Sequence, residues 1–410
     1  MTAHVAALRG MRPRDLLQAH PPGWWAGQAI LSAVAVWLLL RTVPPALAWL
    51  WSGADWRVVA ANLRNFAFFR YPLGDAWRIG ASLAVVSMAL GVAAGAGSRL
   101  SRSIGTMLAG ALAALAAVPL LAKPLLAAGS SLGELAAAFA PAQTWFAASA
   151  VALLAARAAA AAWIGARPSR RGPARALRSA WLVALPIVAA LLFGASGGVG
   201  RWGGLLLTIV LATAAIGLSF PVGVLLALGR RSRLPLVRLS SVAFIELMRG
   251  MPLITVLFMA AILVPLLLPD AWRPEAMFRA IVGLTLFSAA YVAEDVRGGL
   301  NAVSAGQYDA ARALGLGGAA TYRLVVLPQA LRIVIPAIVG QLIALLKDTS
   351  LVFVIGLIDV FEVARTVVSQ AAFLGRFREA LAFAALVYFL LCTGLARASR
   401  SLESPEGERP

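Results

Sequence analysis

Two short stretches put charge into otherwise apolar sequence: Glu246 with Arg249, and the run Lys347-Asp348-Thr349-Ser350. An ionised side chain at membrane depth is costly, so it is expected where it has a partner, a cavity or an interface. Glu246 and Arg249 are three apart and share a helix face. They can form a local salt bridge that orients a helix end, or each can pair across helices as a gate. Lys347 and Asp348 are adjacent, so their side chains diverge and each needs its own neighbour. Two readings stay open there: a structural break capped by Thr349 and Ser350, or a lining for a zwitterionic substrate.

Other chemistries are short of residues. A phosphate loop of the ATPase kind needs Gly-Lys followed by Ser or Thr, and neither lysine of the chain, Lys123 or Lys347, follows a glycine. The chain therefore cannot be its own ATPase by that route. Both histidines, His4 and His20, fall in a polar N-terminal tail, and Cys392 is the single cysteine. These exclude an intramolecular disulfide, a CxxC pair, a thiolate zinc site and a Ser-His-Asp relay, so no catalytic residue and no metal ligand is expected. An intramembrane enzyme would need an inward nucleophile or carboxylate pair that the apolar segments do not offer. The run Gly194 to Gly200 looks like a nucleotide loop but joins two apolar helices and follows no strand, which makes it a linker.

The elements that must hold these residues follow from composition. The chain has 410 residues, 61% hydrophobic and only 13% charged, with mean hydropathy +0.85. A soluble fold could not hide that much apolar surface, so an all-α polytopic membrane protein is expected. The net charge of +19 comes almost wholly from arginines spread among loops, as membrane insertion selects, and no pattern for nucleic acid accompanies it.

About ten spans are expected, within a range of eight to ten. Five precede Gly200: Trp24 to Leu40, Ile79 to Gly97, Ile104 to Leu121, Thr144 to Ile164 and Ala180 to Phe193. Five follow it: Gly203 to Leu228, Val242 to Leu268, Arg279 to Tyr291, a broken span Ile333 to Ile358 with Lys347 to Ser350 in its middle, and Leu381 to Leu395. Glu246, Arg249 and Pro252 interrupt Val242 to Leu268 in its first third, and Gly250 and Pro252 favour a bend there. The segment Pro44 to Arg78 holds Arg57, Arg64, Arg70 and Arg78 on what should be the outer side, and an interfacial amphipathic stretch is expected there. Arg157, inside an apolar span, either snorkels or faces the bundle. The arginine clusters at 167–178 and 230–238 belong inside. An even number of spans then puts both termini on that same cytoplasmic side.

One more stretch organises the rest, Ser304 to Leu351. Ser304 and Gln307 have capping-box spacing, so a short helix is expected from Ala305, stopped by Gly315 and Gly317. It carries Tyr308, Asp309, Ala310, Ala311 and Leu314, with Asp309 and Arg312 three apart on its polar side. The helix is too short to stand alone and too polar to cross a bilayer, so it is either a docking knob that needs a hydrophobic surface outside the lipid or an ordinary helical hairpin between spans. Pro328 is expected to force a turn after Leu327 before the chain climbs back into the membrane.

The spacing Asp309-Ala310-Ala311, three residues, Gly315, nine residues, Val325, one residue, Leu327-Pro328 resembles the signature loop of binding-protein-dependent ABC importer permeases. That loop usually has Glu and Ile where Asp309 and Val325 stand. With Arg249-Gly250-Met251-Pro252 and Lys347 to Leu351, the chain is similar to the polar amino-acid permeases over Trp202 to Arg397. Phe69-Arg70-Tyr71-Pro72 and the long N-terminal region look like the M-type permease subunit of general L-amino-acid importers. The resemblance implies a type I importer transmembrane domain with an N-terminal extension. The expected divisions are a cytoplasmic tail 1–22, an extension 23–199, a permease core 200–398 with a coupling loop 298–332, and a disordered tail 399–410.

The resemblance also implies a bacterial inner-membrane subunit that imports L-amino acids. Its partners would be a second similar permease, a dimer of ATP-binding subunits that holds the ATP and Mg, a periplasmic amino-acid-binding protein, and membrane lipid. No cofactor is expected in this chain. Coupling to the ATPase would fall to Tyr308, Asp309, Ala310, Ala311, Gly315, Leu327 and Pro328. A secondary transporter is the rival, but it would show inverted repeats and paired broken helices, and the two halves share no motif.

Overall fold

The computed structural model describes residues 22–95, 99–166, 172–194 and 198–403. His4, His20, Arg9, Arg12, Arg14, Arg167, Arg170, Arg171 and the linker centre Ala195-Ser196-Gly197 lie outside them. The chain divides into two compact units, residues 1–55 and 56–410. Within the first, the described part is one helix, α1 (Pro22–Ala48), ending in a wide π turn at Trp49–Gly53.

The second unit is helical throughout, and the described residues contain no strand, only an isolated bridge between Gly204 and Asp359. It opens with α2 (Arg57–Phe68), then α3 (Ala76–Gly95), α4 (Arg99–Ala117), two short helices α5 (Ala122–Ala127) and α6 (Ser131–Ala138), α7 (Gln143–Ala166) and α8 (Gly172–Phe193). After residue 200 come α9 (Gly204–Arg230), α10 (Pro235–Gly250), α11 (Leu253–Leu267), α12 (Ala276–Ala302), α13 (Ala305–Ala313), α14 (Leu327–Asp348), α15 (Val360–Val367) and α16 (Phe377–Glu403). Among the described residues, eight helices are long and apolar enough to cross a membrane, or up to nine if the bent pair α10 and α11 is one span, and Ala180–Phe193 is a shorter apolar helix. The span count thus falls within the range that the sequence implies.

Of the amphipathic stretch expected over Pro44 to Arg78, only α2 has that character: Pro44 to Gly53 continues the first apolar helix, and Arg78 lies in α3. Val58, Val59, Asn62 and Phe66 are buried on one side, while Arg57 and Arg64 are exposed on the other.

Helix packing before residue 200 rests on small residues. Gly91 and Gly95 of α3 are four apart, and a Cβ on either would lie 2.3 or 2.4 Å from the backbone oxygens of Leu153 and Arg157 in α7. That approach is open only to glycine, and it supplies the van der Waals packing that drives helices together in lipid. Arg157, half-buried, sits on this seam.

After residue 200, α12 is the most enclosed span. Ala280, Leu284, Ala289, Ala293 and Val296 along it are buried, and one cluster joins Ala280 and Leu284 to Leu207, Leu211 and Leu257 of α9 and α11. A second cluster, nearer α13, joins Val292, Val296 and Leu300 to Val326, Ala330 and Val334. Gly299 permits it: a Cβ there would meet the Ala330 oxygen at 2.5 Å.

The span over Val242 to Leu268 is interrupted where Arg249 and Pro252 imply, as two helices meeting at 106°. Pro252, with no N–H and an extended preceding residue, ends one helix and starts the next. Pro328, by contrast, forces no turn. A helical turn at Gly318–Thr321 and a π turn at Tyr322–Val326 lead straight into α14. The wide turn places Pro328 in the first positions of α14, where its missing N–H costs least.

In the broken span the α-helix ends inside the expected run Lys347 to Ser350. α14 runs through Lys347 and Asp348, then tightens into a 3₁₀ helix at Thr349–Ile355 and ends at Gly356, left-handed with φ 83°. Ser399 to Glu403, expected in the C-terminal tail, belong to α16; residues 404–410 lie outside the described ones.

Candidate functional site: two polar clusters at opposite ends of the helices

Helix α13 forms where the spacing predicts, but without the expected side-chain cap. Ser304 accepts no bond through its hydroxyl, and only its carbonyl is used, by the Gln307 amide at 3.1 Å. The Gln307 side chain turns instead to Gln329, whose Nε2 donates to Gln307 Oε1 at 3.0 Å. At the other end Gly315, with φ 73°, donates to the Arg312 carbonyl, and Leu316 donates to Ala311, a Schellman closure that needs the left-handed residue.

This geometry sorts the residues of the loop. Ala311 is 2% exposed and Tyr308 is half-buried, so both hold the helix to its own subunit. Asp309, Ala310 and Gly315 face out, with Leu314 80% exposed beside them. Arg312 donates to Asp309 at 3.1 Å on the solvent side. Leu327 is half-buried and Pro328 exposed at the start of α14.

Tyr308 is the tie. Its hydroxyl accepts from Arg231 at 3.3 Å and donates to the Leu300 carbonyl at 3.4 Å, and its ring meets Tyr322 edge-on at 6.0 Å. Arg231 also donates to Asn301. The neighbouring Arg230 reaches a hub centred on Glu294, whose side chain is 14% exposed. Arg230 donates to Glu294 at 2.8 Å, Arg297 donates at 2.7 and 3.0 Å, and Arg249 approaches to 3.6 Å. Arg230 also meets Glu246 at 3.2 Å. Glu246 and Arg249 therefore pair across helices, through α9 and α12. Glu294 was the missed centre; its signal was a carboxylate three residues before Arg297 at an apolar helix end.

The second cluster lies at the far end of α14, roughly 30 Å from Leu327 at the rise of a helix. Lys347 is exposed and Asp348 half-buried. Thr349 is buried and donates to the Leu346 carbonyl at 2.8 Å, satisfying a group that the tightened turn leaves over. Its oxygen is 3.4 Å from the Tyr388 hydroxyl, and Tyr388 donates to Asp359 at 2.6 Å. Ser350 is half-buried beside it.

Asp359, fully buried, is the residue that the sequence did not mark. Its two carboxylate oxygens accept from the amides of Glu362 and Phe361, at 2.9 and 3.1 Å, and so cap α15. The Asp-x-x-Glu spacing from Asp359 to Glu362 was the available signal. Burial pushes this carboxyl above its ordinary range, opposed by the hydrogen bonds from Tyr388 and the two amides. Thr208 of α9 accepts from the Val360 amide at 3.4 Å, which ties the α9 start to the same cluster. Among the described residues, no group of three or more His, Cys, Asp or Glu is placed to hold a metal ion.

Residues 219–404 match the model of the family described as binding-protein-dependent transport system inner membrane component. Over 203 residues the chain is 51% identical to the inner membrane amino-acid ABC transporter permease protein YhdY of Escherichia coli K12, covering 50% of this chain and 55% of that protein. It is 45% identical over 204 residues to the glutamate/glutamine/aspartate/asparagine transport system permease protein BztC of Rhodobacter capsulatus, covering 50% and 47%. The match therefore spans about half the length of these two relatives. The probable glutamine ABC transporter permease protein GlnP of Bacillus subtilis is 36% identical over 202 residues, which are 49% of this chain but 91% of that protein.

Proposed function

Since the chain belongs to the binding-protein-dependent inner-membrane permeases, in their polar amino-acid branch, we propose that it is the membrane subunit of an ATP-driven importer of L-amino acids. It is a multi-pass inner-membrane protein, and in this reading both termini and α13 face the cytoplasm. A second permease subunit completes the path, a pair of ATP-binding subunits binds ATP and Mg and does the hydrolysis, and a periplasmic binding protein delivers the amino acid. This chain is then no enzyme and needs no cofactor of its own.

The observation that carries the reading is the knob of α13, with Asp309, Ala310 and Leu314 turned outward and Tyr308 fixed inward. An ATPase that pushes on the outer face moves a lever already bonded to α9 through Arg231. From there Arg230, Glu294 and Arg249 carry the displacement to the 106° bend between α10 and α11. Closing of the ATPase dimer thereby switches the cavity from inward- to outward-facing. Thr349 serves the local backbone, while Lys347, Asp348 and Ser350 are the side chains left to line the path.

The test is uptake of radiolabelled amino acids into cells. Asp309→Trp or Gly315→Val is expected to abolish uptake while the amount of inserted protein is unchanged. Normal uptake by both variants would remove the coupling role.

A further inference from the structure

Helix α11 carries a defect that α12 repairs. Its first turns, Leu253–Phe258, are regular; a π turn follows at Met259–Leu263, and then a last turn, Val264–Leu267, which contains Pro265. Across the π turn the Val264 amide donates to the Met259 carbonyl, five residues back, so the Ala260 carbonyl loses the donor that an α-helix would give it. The Ala261 carbonyl would take the amide of residue 265, and proline has none. Two adjacent carbonyls lose their regular donors, inside an apolar span where water is scarce. Arg279, in the first turn of α12, supplies what is missing. Its Nη1 donates to the Ala260 carbonyl at 3.1 Å and to the Ala261 carbonyl at 2.6 Å. Its Nε is buried and has no hydrogen-bond partner.

We propose that the π turn and Pro265 form a hinge in α11 and that Arg279 is the positioning residue that latches it during transport. The inference rests on the functional reading above, in which displacement arrives at the bend between α10 and α11. That displacement enters α11 at Leu253. The first turns of α11 pack on the 3₁₀ segment that follows Asp348, with Val256 and Leu257 in one cluster with Val352 and Ile355, so they cannot swing without shifting against it. The last turn is tied by Arg279 to α12, the most enclosed span. Between the two parts, carbonyls held by a side chain can change donor as the helix bends, which carbonyls held by amides of the same helix cannot do without unwinding it. A rigid helix would need none of this, because alanine at position 265 would supply an amide and spare the span a costly arginine. The unpartnered Nε fits a guanidinium that serves two arrangements and is only partly used in this one.

The experiment uses the assembled transporter, reading ATP-driven uptake of radiolabelled amino acids in proteoliposomes and the unfolding midpoint in detergent. It compares Arg279→Ala, Pro265→Ala and the double variant with the wild type. Arg279→Ala is expected to lower the midpoint by about 2–4 °C and uptake roughly fivefold or more. Pro265→Ala returns an amide to the stretch, so the midpoint should hold or rise while uptake still falls. The double variant decides: its midpoint should recover to within about 1 °C of the wild type while its uptake stays low. Uptake that recovers together with the midpoint overturns the proposal, since Arg279 then only mends the backbone. So does wild-type uptake by either single variant. Where Arg279→Ala is not recovered as an assembled transporter, Arg279→Gln takes its place in both the single and the double variant, with the same outcomes. If the wild type itself imports no amino acid with ATP, the functional reading fails instead.

Discussion

The two ends of the helix bundle solve one problem, a carboxylate among apolar helices, in opposite ways. At the α13 end Glu294 is shared by three arginines from three helices, and its partners Arg249 and Arg297 remain partly open to water. At the other end Asp359 is sealed, and its hydrogen bonds come from one tyrosine and two amides, with no arginine or lysine among those donors. A carboxylate with several solvated partners can lose one and keep its charge balanced, so that end can move. A sealed carboxylate with fixed donors cannot give one up cheaply. The difference suits the proposed coupling, in which the molecule is pushed at one end and held at the other.

The strongest way to break this contrast is to remove the sealed acceptor. Asp359→Ala leaves the Tyr388 hydroxyl and two helix amides without their partner. It is expected to cost about 3 kcal/mol, read as a lowered unfolding midpoint in detergent. A change below about 1 kcal/mol would show that water reaches the site and that the contrast is wrong.

The next test is the hub. Glu294→Gln should cost roughly 1–2 kcal/mol, after allowing for the water that screens Arg249 and Arg297. Its effect on coupling should exceed its effect on stability, seen as ATP hydrolysis that no longer tracks uptake. Glu246→Gln, with its side chain 55% exposed, should be milder in both.

A pH series sharpens the comparison further. The folded chain holds the Asp359 proton to higher pH than the unfolded chain, so this group's stabilisation is complete below the ordinary carboxylate value of 3.8. It is lost as pH rises through the raised folded value. Asp359→Asn should flatten that part of the dependence of unfolding midpoint on pH, while keeping an oxygen to cap α15.

The smallest effect is expected at the surface of the knob. Arg312→Ala removes an ion pair whose side chains are 72% and 70% exposed, and should change stability by no more than about 0.5 kcal/mol.

Much of this was legible in the sequence. The membrane class followed from the apolar excess, and the α13 boundaries followed from Ser304 and Gly315, because a helix start and a left-handed stop are local properties. Arg157, Glu246 and Arg249 could be marked as costly but not paired. The bend at Pro252 was visible as a tendency, and its 106° was not. Pro328 misled, since a proline ends a helix only where the preceding turn cannot widen to admit it, and the π turn at Tyr322–Val326 does so.

By itself, the sequence determined what is a sum over neighbours: hydropathy, helix ends, the exposed knob and the absence of a Gly-Lys phosphate loop. Only the tertiary structure decided which charges meet. Glu294 draws three arginines because α9, α10 and α12 converge at that end, and Asp359 is sealed because α15 folds back between α9 and α16. Such pairings depend on which helix faces come together across scores of residues, a quantity that no local window of the chain contains.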